Sequence, residues 1–330
     1  MILLISEPDD ATTDAVINWL KYYNVEYLRI NNTNVFEFLR LNIDNAGKID
    51  FVCQHDNTVI QLSKITGYWY RRGKLNLKVN PIGEQKYPNL SQTTNRFLLN
   101  EFDAITEFIY DELHNVKMSV GNIYENDTNK IINLKIANCC GMDIPRTWIF
   151  TTKSEVQNII KEYKVLLTKP VTQGGLYFED ESICFTGHSN LFTEEIINKF
   201  PDTFAPTLFQ EYIDKAYELR IFYFNTEIYT SAIFSQMDEM TKVDFRNYNF
   251  QTPNRTPPYK IPDSLRSAII RFMTKTKMKS GSIDVLVSKD KKYYFLEVNP
   301  IGQFYQVSFP CNYYIEKKIA KYFKNEYKKN

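Results

Sequence analysis

The sequence predicts a mixed α/β (α+β) fold, and three observations predict it. The apolar opening stretch MILLISE predicts a buried strand, and the period of apolar residues in TTDAVINWLKYYN predicts an amphipathic helix. A second strand, VEYLRI, follows this helix, so strand and helix alternate as in an α/β layer. The C-terminal third instead carries neighbouring strands, such as YELRIFYF and EIYTSAIF, which indicates antiparallel pairs.

The first predicted domain covers residues 1–117. After the opening strands and helix, the strand ITGYWYRR continues the alternation, and NRFLLNEFDAITEFIYDEL has the periodicity of a long amphipathic helix. We expect this helix to complete an N-terminal α/β domain.

The second predicted domain covers residues 118–203 and begins with the helix in NDTNKIINLKIANCC. Asp127 or Thr128 is expected to cap that helix, Gly141 to end it, and Pro145 to lead into a strand. The helix SEVQNIIKEY, the strand KVLLTKP, the hairpin LYFEDESICFTG and the helix TEEIINKF are expected to follow in that order.

The third predicted domain covers residues 204–330. It opens with the strand TLFQEYI and with two strands joined at Asn225 and Thr226. The helix DSLRSAIIRFMTKTKM then leads to a final strand pair, SIDVLVS and YYFLEVN, and to a lysine-rich terminal helix.

Composition excludes several classes of function. Lys and Arg number 40 against 39 Asp and Glu, so no overall field would attract nucleic acid or an anionic membrane surface. The opening apolar run is too short for a signal peptide, and no run is long enough to span a membrane, so we expect a cytoplasmic protein. Five cysteines without a Cys-x-x-Cys pair indicate neither a disulfide framework nor a zinc site.

Acidic residues in the last strand pair point to a cation. Glu297 and Asn299 are two positions apart and therefore leave one face of their strand. If Ser288 pairs with Tyr293 across the intervening turn, Asp284 lies directly opposite Glu297. Two facing carboxylates and an amide oxygen are ligands suited to magnesium, although a half-solvated strand face is the alternative interpretation.

Three further charged features are candidates for a functional site. Lys169 ends a strand before Gly174 and Gly175, whose backbone N–H groups could close on phosphates, although lysines at strand ends are common. Glu218 and Arg220 share one face of a strand, where a mutual ion pair is the simpler interpretation. Arg246 could hold a transferring phosphoryl group or be a surface arginine.

The order of these motifs resembles the ATP-grasp superfamily of carboxylate ligases. A lysine before a Gly-Gly loop is followed by QEYI, ELRIF, DFRN and LEVNPIGQF, and the resemblance covers about residues 129–306. Within the superfamily the chain looks most like the maturases of graspetides, which are ribosomal peptides with side-chain crosslinks, and especially like the grasp-with-spasm branch. YWYRR and AIFSQ carry this narrower resemblance.

The resemblance implies a fold and a set of roles. It implies an N-terminal pre-ATP-grasp domain, a small central domain and a C-terminal domain that together bind ATP and two Mg²⁺ ions, with Asp284, Glu297 and Asn299 as the metal ligands. The catalytic residues would be Lys169, Arg220 and Arg246. The nucleotide would be bound by Lys130, Lys169, Gly174, Gly175, Gln210, Glu211, Tyr212, Ile213, Glu218, Arg246 and Asn247.

The resemblance also implies the reaction and the partner. The chain would phosphorylate Asp or Glu side chains of a ribosomal precursor peptide and close ω-ester or ω-amide rings, releasing ADP and phosphate. A carboxylate-amine ligase for a free amino acid or small peptide, and a non-catalytic nucleotide-binding module, are the alternatives. The oligomeric state is open, with a homodimer as one expectation.

A leader segment of the precursor would bind the central domain, away from the reaction. An acidic, aromatic surface there would complement an apolar leader with a basic residue, although aromatic hairpin residues commonly pack a core. The candidate residues are Tyr177, Phe178, Ile183, Phe185, Glu194 and Glu195, with Arg71 and Arg72 of the first domain as the next candidates.

Overall fold

The computed structural model describes residues 1–80, 88–125, 128–171, 189–236 and 253–327. The chain forms two compact units, of which the first comprises Met1–Asn126 with Tyr314–Asn330 and the second comprises Asp127–Tyr313. The division into three domains expected from the sequence stays a prediction. None of the helices among the described residues combines the length and the apolar character needed to cross a membrane.

The first unit contains a parallel sheet of four strands in the order β2-β1-β6-β8. Its strands are β1 (Ile2–Ser6), β2 (Tyr27–Asn31), β6 (Gly67–Tyr70) and β8 (Met118–Val120). The helices of this unit are α1 (Ala11–Tyr22), α2 (Pro88–Asn115) and α8 (Ile315–Tyr327). The alternation of strand and helix expected from the sequence is therefore confirmed.

A second sheet in the first unit has the order β5-β4-β3-β7. Its strands are β3 (Val35–Ile43), β4 (Ile49–His55), β5 (Thr58–Gln61) and β7 (Asn76–Leu77). β7 runs parallel to β3 and is an edge strand of this sheet.

The second unit contains two antiparallel sheets of four strands. The smaller has the order β11-β10-β12-β9, from the strands β9 (Thr147–Thr152), β10 (Val165–Lys169), β11 (Asn190–Thr193) and β12 (Thr203–Glu211). Its helices are α4 (Lys153–Tyr163) and α5 (Glu194–Asn198). Val156, Ile160 and Ile197 of these helices are buried against Leu166, Phe192 and Phe209 of the strands.

The larger sheet of the second unit has the order β14-β13-β15-β16. Its strands are β13 (Lys215–Phe224), β14 (Glu227–Ile233), β15 (Ser280–Ser288) and β16 (Tyr293–Asn299). The remaining helices are α3 (Lys130–Cys139), α6 (Asp263–Lys275) and α7 (Tyr305–Ser308). The expected turn at Asn225 and Thr226 joins β13 to β14, with both residues at positive φ.

One face of the larger sheet carries the main core of the second unit. Leu219 and Ile221 of β13 and Val285 of β15 are buried there together with apolar residues of α3 and α6. Arg271 of α6 also donates to the backbone oxygen of Cys140 at the end of α3, with Nη2 at 2.7 Å. Because this face is filled by apolar side chains, alternation along the strands directs the intervening polar residues to the opposite face.

In the second unit, one helix cap differs from the sequence-based expectation and one predicted hairpin cannot be compared with the structure. Asn129, rather than Asp127 or Thr128, caps α3, because its side-chain oxygen accepts the N–H groups of Ile131 and Ile132. The predicted hairpin LYFEDESICFTG lies outside the described residues.

An ion pair is buried in the first unit where β6 ends. Arg71 is 3% exposed, its Nε lies 3.5 Å from Asp10, and it donates to the Thr12 hydroxyl at 3.0 Å. Asp10 also caps α1 by accepting the N–H groups of Thr12 and Thr13. Burial would raise the pKa of Asp10, but the Arg71 charge and these hydrogen bonds offset burial and leave the pKa below its ordinary value.

We expect Arg71→Ala to lower the free energy of unfolding by about 3–5 kcal/mol, because it leaves the Asp10 carboxylate buried without its cation. Chemical denaturation, read from the midpoint at constant slope, measures the change. The matched control is Arg72→Ala, since Arg72 lies 3.6 Å from Glu7 with both side chains about half exposed. That exposed pair should contribute less than about 1 kcal/mol. Equal losses in both variants would contradict the structural role of the buried pair.

Candidate functional site

A row of polar side chains crosses all four strands of the larger sheet of the second unit. Arg220 lies opposite Ser231 of β14 on one side and opposite Asp284 of β15 on the other. Asp284 in turn lies opposite Glu297 of β16, as the sequence predicts. These side chains leave the face opposite the main core, so the centre of that face is charged.

The pairing that places Asp284 opposite Glu297 differs from the one assumed in the sequence analysis. Tyr293 lies opposite Val287, not opposite Ser288, and this part of the expectation is wrong. The register shifts between Asp284 and Val285, where Leu296 is an extra residue in β16. The turn between β15 and β16 is one residue shorter than the assumed pairing requires, and the extra residue in the β-bulge offsets this difference. The two carboxylates therefore still face each other.

Arg220 holds Asp284 with a close ion pair. Its Nη1 donates to both carboxylate oxygens of Asp284, at 2.6 and 2.5 Å, and both side chains are mostly buried. A charge-assisted contact of this length at low exposure is among the stronger hydrogen bonds that proteins form. The sequence suggests an ion pair between Arg220 and Glu218, whereas the structure pairs Arg220 with Asp284 of the adjacent strand.

Lys130 approaches Glu297 from the first turn of α3. Its Nζ lies 3.6 Å from Oε2 of Glu297, and the two side chains are 12% and 19% exposed. α3 packs beside β16, and the N–H of Phe295 in β16 donates to the backbone oxygen of Asp143, which follows the helix. The helix therefore places a cation beside the second carboxylate of the row.

Asn299 lies two residues after Glu297 in β16, on the same face of the sheet. It faces Ser282 of β15, and its backbone oxygen accepts the N–H of Gly302 in the turn that follows β16. Gly302 approaches Ser282 so closely that a Cβ there would lie 2.2 Å from the Ser282 side chain. A larger residue would push the turn away, so Gly302 keeps Asn299 near the two carboxylates.

The donor set fits a hard divalent cation. Two facing carboxylates with an amide oxygen beside them supply oxygen ligands, which magnesium prefers. Lys130 and Arg220 compensate the carboxylates while no cation is bound, since two like charges placed opposite each other repel. Among the residues that the structure describes, no three His, Cys, Asp or Glu side chains are arranged to hold a metal, so a site at this face would need the amide oxygen of Asn299 beside the two carboxylates.

The predicted adenine contacts lie at the end of β12. Gln210 is buried and its Nε2 donates to the Thr147 hydroxyl at 2.9 Å. Oε1 of Glu211 accepts the N–H of Arg146 at 3.0 Å. A carboxylate has two oxygens, so Oε2 of Glu211 can accept a further donor. Tyr212 and Ile213 follow in the half-buried connection to β13.

A buried lysine that sequence analysis missed contacts Glu218. Lys215 and Glu218 form a close ion pair in β13 with side chains 5% and 10% exposed. Lys215 lies three residues before Glu218 at the start of a buried strand. The signal was present in DKAYELR, because a lysine inside a buried strand requires a carboxylate partner.

Several predicted residues lie apart from this row or outside the described part of the chain. Lys169 ends β10 and faces Leu208 of β12 in the smaller sheet. The predicted residues outside the described part are Gly174, Gly175, Tyr177, Phe178, Ile183, Phe185, Arg246 and Asn247.

Four candidates for peptide binding are described. Glu194 and Glu195 lie in α5, where Glu195 pairs with Lys199 at 2.8 Å and both side chains are exposed. Arg71 is occupied by its buried contacts in the first unit, whereas Arg72 is partly exposed. Of the two arginines, Arg72 is therefore the one presented at the surface.

A family model identifies the class of protein to which this site belongs. The model of the RimK-like ATP-grasp domain matches residues 127–323, which is more than half of the chain. The match includes every residue of the row of polar side chains that crosses the larger sheet. The chain therefore belongs to the RimK-like ATP-grasp family.

Solved structures extend the likeness over nearly the whole chain. The macrocyclase MdnC of Microcystis aeruginosa, bound to the precursor peptide MdnA, is 22% identical with a TM-score of 0.72 over 98% of this chain and 99% of that one. A RiPP-associated ATP-grasp ligase of Chryseobacterium gregarium, in complex with ADP and with leader and core peptides, is 22% identical with a TM-score of 0.75 over 98% and 95%.

A third structure agrees with these two. The ATP-grasp ligase PsnB, complexed with a minimal precursor, Mg and ADP, is 15% identical with a TM-score of 0.71 over 98% of this chain and 96% of that one. A comparison with curated proteins finds no match. The ATP-grasp fold expected from the sequence is confirmed.

We expect Glu297→Gln to abolish the stabilisation of the protein by Mg²⁺ with ADP while leaving the unliganded fold intact, because the amide keeps the shape but not the charge. A ligand that binds only the folded state raises its stability, so thermal unfolding with and without Mg²⁺ and ADP measures the effect. Asp290→Asn is the matched control, since Asp290 is an exposed acid in the turn of the same hairpin. Undiminished stabilisation of Glu297→Gln would remove Glu297 from the metal site.

Proposed function

We propose that the chain is an ATP- and Mg²⁺-dependent ligase that forms ester or amide crosslinks in a ribosomal precursor peptide. The observation that carries the proposal is the likeness over nearly the full length of both chains to peptide macrocyclases and ligases, of which the three described above are in complex with a precursor or with leader and core peptides. The family match supports the ATP-dependent part of the proposal independently.

Asp284, Glu297 and Asn299 would hold two Mg²⁺ ions on the site face of the larger sheet. Bound magnesium would neutralise negative charge on the transferring phosphoryl group. Arg220 keeps Asp284 in place through its Nη1 contacts. When a cation binds Glu297, Lys130 would leave that carboxylate and contact a nucleotide phosphate instead.

The nucleotide would bind with its adenine at the end of β12. Glu211 would accept from the adenine amino group, the backbone near Tyr212 and Ile213 would pair with the ring, and Glu218 would hold the ribose hydroxyls. Gln210 fixes this segment through Thr147. Lys169, Gly174, Gly175, Arg246 and Asn247 would contact the phosphates.

The reaction would proceed in two substitutions. A carboxylate oxygen of an Asp or Glu side chain in the peptide attacks the γ-phosphorus, the bond from that phosphorus to the β-phosphate oxygen breaks, and ADP leaves. A Thr or Ser hydroxyl, or a Lys amine, then attacks the acyl carbon, loses its proton, and displaces inorganic phosphate. The charges of Lys169, Arg220 and Arg246 would position and stabilise the phosphoryl group, so no covalent enzyme nucleophile is required.

A ligase for a free amino acid or small peptide is the second candidate, because the family match specifies the fold and not the substrate and is therefore equally compatible with it. Both candidates share the acylphosphate step and differ in the acceptor. We also propose that the protein acts in the cytoplasm, with a homodimer as one assembly to be examined.

Incubation of the enzyme with ATP, Mg²⁺ and its precursor peptide, which would be sought among small reading frames next to the gene, should yield a peptide lighter by one water per crosslink, which mass spectrometry measures. Asp284→Ala should abolish this product because it removes a charged metal ligand. The control Asp290→Ala should leave the product unchanged. If the peptide is unaltered while a free amino acid is consumed with ATP, the second candidate function is correct.

We expect the double substitution Glu194→Lys with Glu195→Lys to weaken precursor binding and crosslinking without changing the affinity for ATP, because the acidic end of α5 would attract a basic leader residue. Titration of each ligand measures the two affinities separately. Glu162→Lys with Asp202→Lys makes the same change in charge elsewhere among the exposed residues of this region and is the control. Precursor affinity at the wild-type value would place the leader site away from α5.

A further inference from the structure

The first unit contains a groove to which the proposed reaction assigns no role. Its volume is about 460 Å³, and it lies between residues 74–79, which include β7, and one side of α2. Ile123 and Tyr124 also line it. The candidate nucleotide site lies in the other unit, so the groove is a separate feature of the chain.

The groove presents apolar surface to solvent. Leu75, Leu77 and Val79 alternate along the strand segment and line it, and Leu99 and Phe102 line it from α2. Leu99 is 52% exposed. Apolar side chains that gather in a concave and open surface are typical of a binding site for another apolar group.

Acidic side chains border this apolar surface. Asp103 and Glu107 are one helical turn apart on α2 and follow Leu99 at the same spacing, whereas Lys74 is the one cation among the described residues that line the groove. Burial and the charges of Glu107 and Asp111 raise the pKa of Tyr124. The local charge therefore favours a cationic ligand.

The backbone of β7 adds a third feature. Lys78 donates its N–H to Phe36 of β3, whereas the N–H of Leu75 points the other way and donates to the Tyr110 hydroxyl at 2.7 Å. Bonding sides alternate along a strand, so the N–H and C=O of Leu77 point to the same side as the N–H of Leu75. Tyr110 lines the groove, and within the described part of the chain β7 is an edge strand of its sheet, so the backbone of Leu77 faces the side where a strand could be added.

We propose that this groove binds an extended segment of the peptide substrate in which apolar residues alternate with lysine or arginine. The segment adds a strand to β7 through Leu77, places its apolar side chains against Leu99 and Phe102, and directs its cations to Asp103 and Glu107. The identity of the occupant as the peptide substrate rests on the proposed function. The recognition chemistry rests on the groove alone.

The test uses a short fluorescein-labelled peptide in which lysine alternates with leucine, and its counterpart with glutamate in place of lysine. Fluorescence anisotropy should show saturable binding of the lysine peptide to the full-length protein and at least about tenfold weaker binding of the glutamate peptide. Higher salt should weaken the binding, because the charge contacts lie at the surface.

Two sets of variants test the two kinds of contact. Asp103→Lys with Glu107→Lys should weaken binding by at least about tenfold, whereas Glu26→Lys with Glu101→Lys, which makes the same change in charge at exposed acids outside the lining, should change it by less than about threefold. Leu77→Pro should weaken binding about fivefold more than Leu77→Ala. Proline removes the N–H that points away from β3, while the hydrogen bonds between β7 and β3 are retained. Circular dichroism confirms that each variant is folded.

Equal affinity for the two peptides, or wild-type affinity in the charge-reversed variant, would overturn the groove as a peptide site. The crosslinking assay distinguishes this failure from failure of the proposed function. A wild-type enzyme that crosslinks its precursor, with the charge-reversed variant equally active at low precursor concentration, would refute the groove and keep the function. Peptide binding without any crosslinking by the wild-type enzyme would refute the function and keep the groove.

Discussion

The extra residue in β16 determines which side chains lie on the face of the larger sheet opposite the main core. Phe295 and Val298 are both buried in the main core although they are three residues apart, which strict alternation along a strand does not allow. The bulge at Leu296 resets the alternation, so that Glu297 and Asn299 leave the opposite face. Without it, Glu297 would point into the apolar core beside Phe295, where an unpaired carboxylate costs several kcal/mol. The placement of the candidate metal ligands and the packing of the core therefore depend on one irregularity.

Much of the fold could be predicted because apolar periodicity and turn residues identify single elements. The helices α2, α4 and α6, the turn at Asn225 and Thr226, and the strand pair that ends at Asn299 all occur where the pattern places them. The cap of α3 was missed because Asn, Asp and Thr are similar N-cap residues, and only backbone geometry selects among them. The joining of the last helix to the first unit is a long-range contact that no local pattern specifies.

The candidate site was partly predictable because some of its residues are conspicuous in the local sequence. An acid in a buried strand requires a partner or a cation, which makes Asp284 and Glu297 candidate ligands from the sequence alone. The partners themselves were not predictable, since Arg220 reaches across to the next strand and Lys215 pairs within its own strand. The pairing of β15 with β16 was correct at the carboxylates although the assumed turn was wrong, because the shorter turn and the bulge shift the register in opposite directions.

In the proposed function, these charges support transfer of a phosphoryl group to a peptide carboxylate. The most direct measurement uses a precursor peptide whose Asp and Glu side chains carry heavy oxygen in the carboxylates, and determines the isotope content of the phosphate released. An acylphosphate route delivers one carboxylate oxygen to each phosphate as a crosslink forms, so the phosphate should carry one heavy oxygen per crosslink. Crosslinked peptide accompanied by unlabelled phosphate would contradict the account.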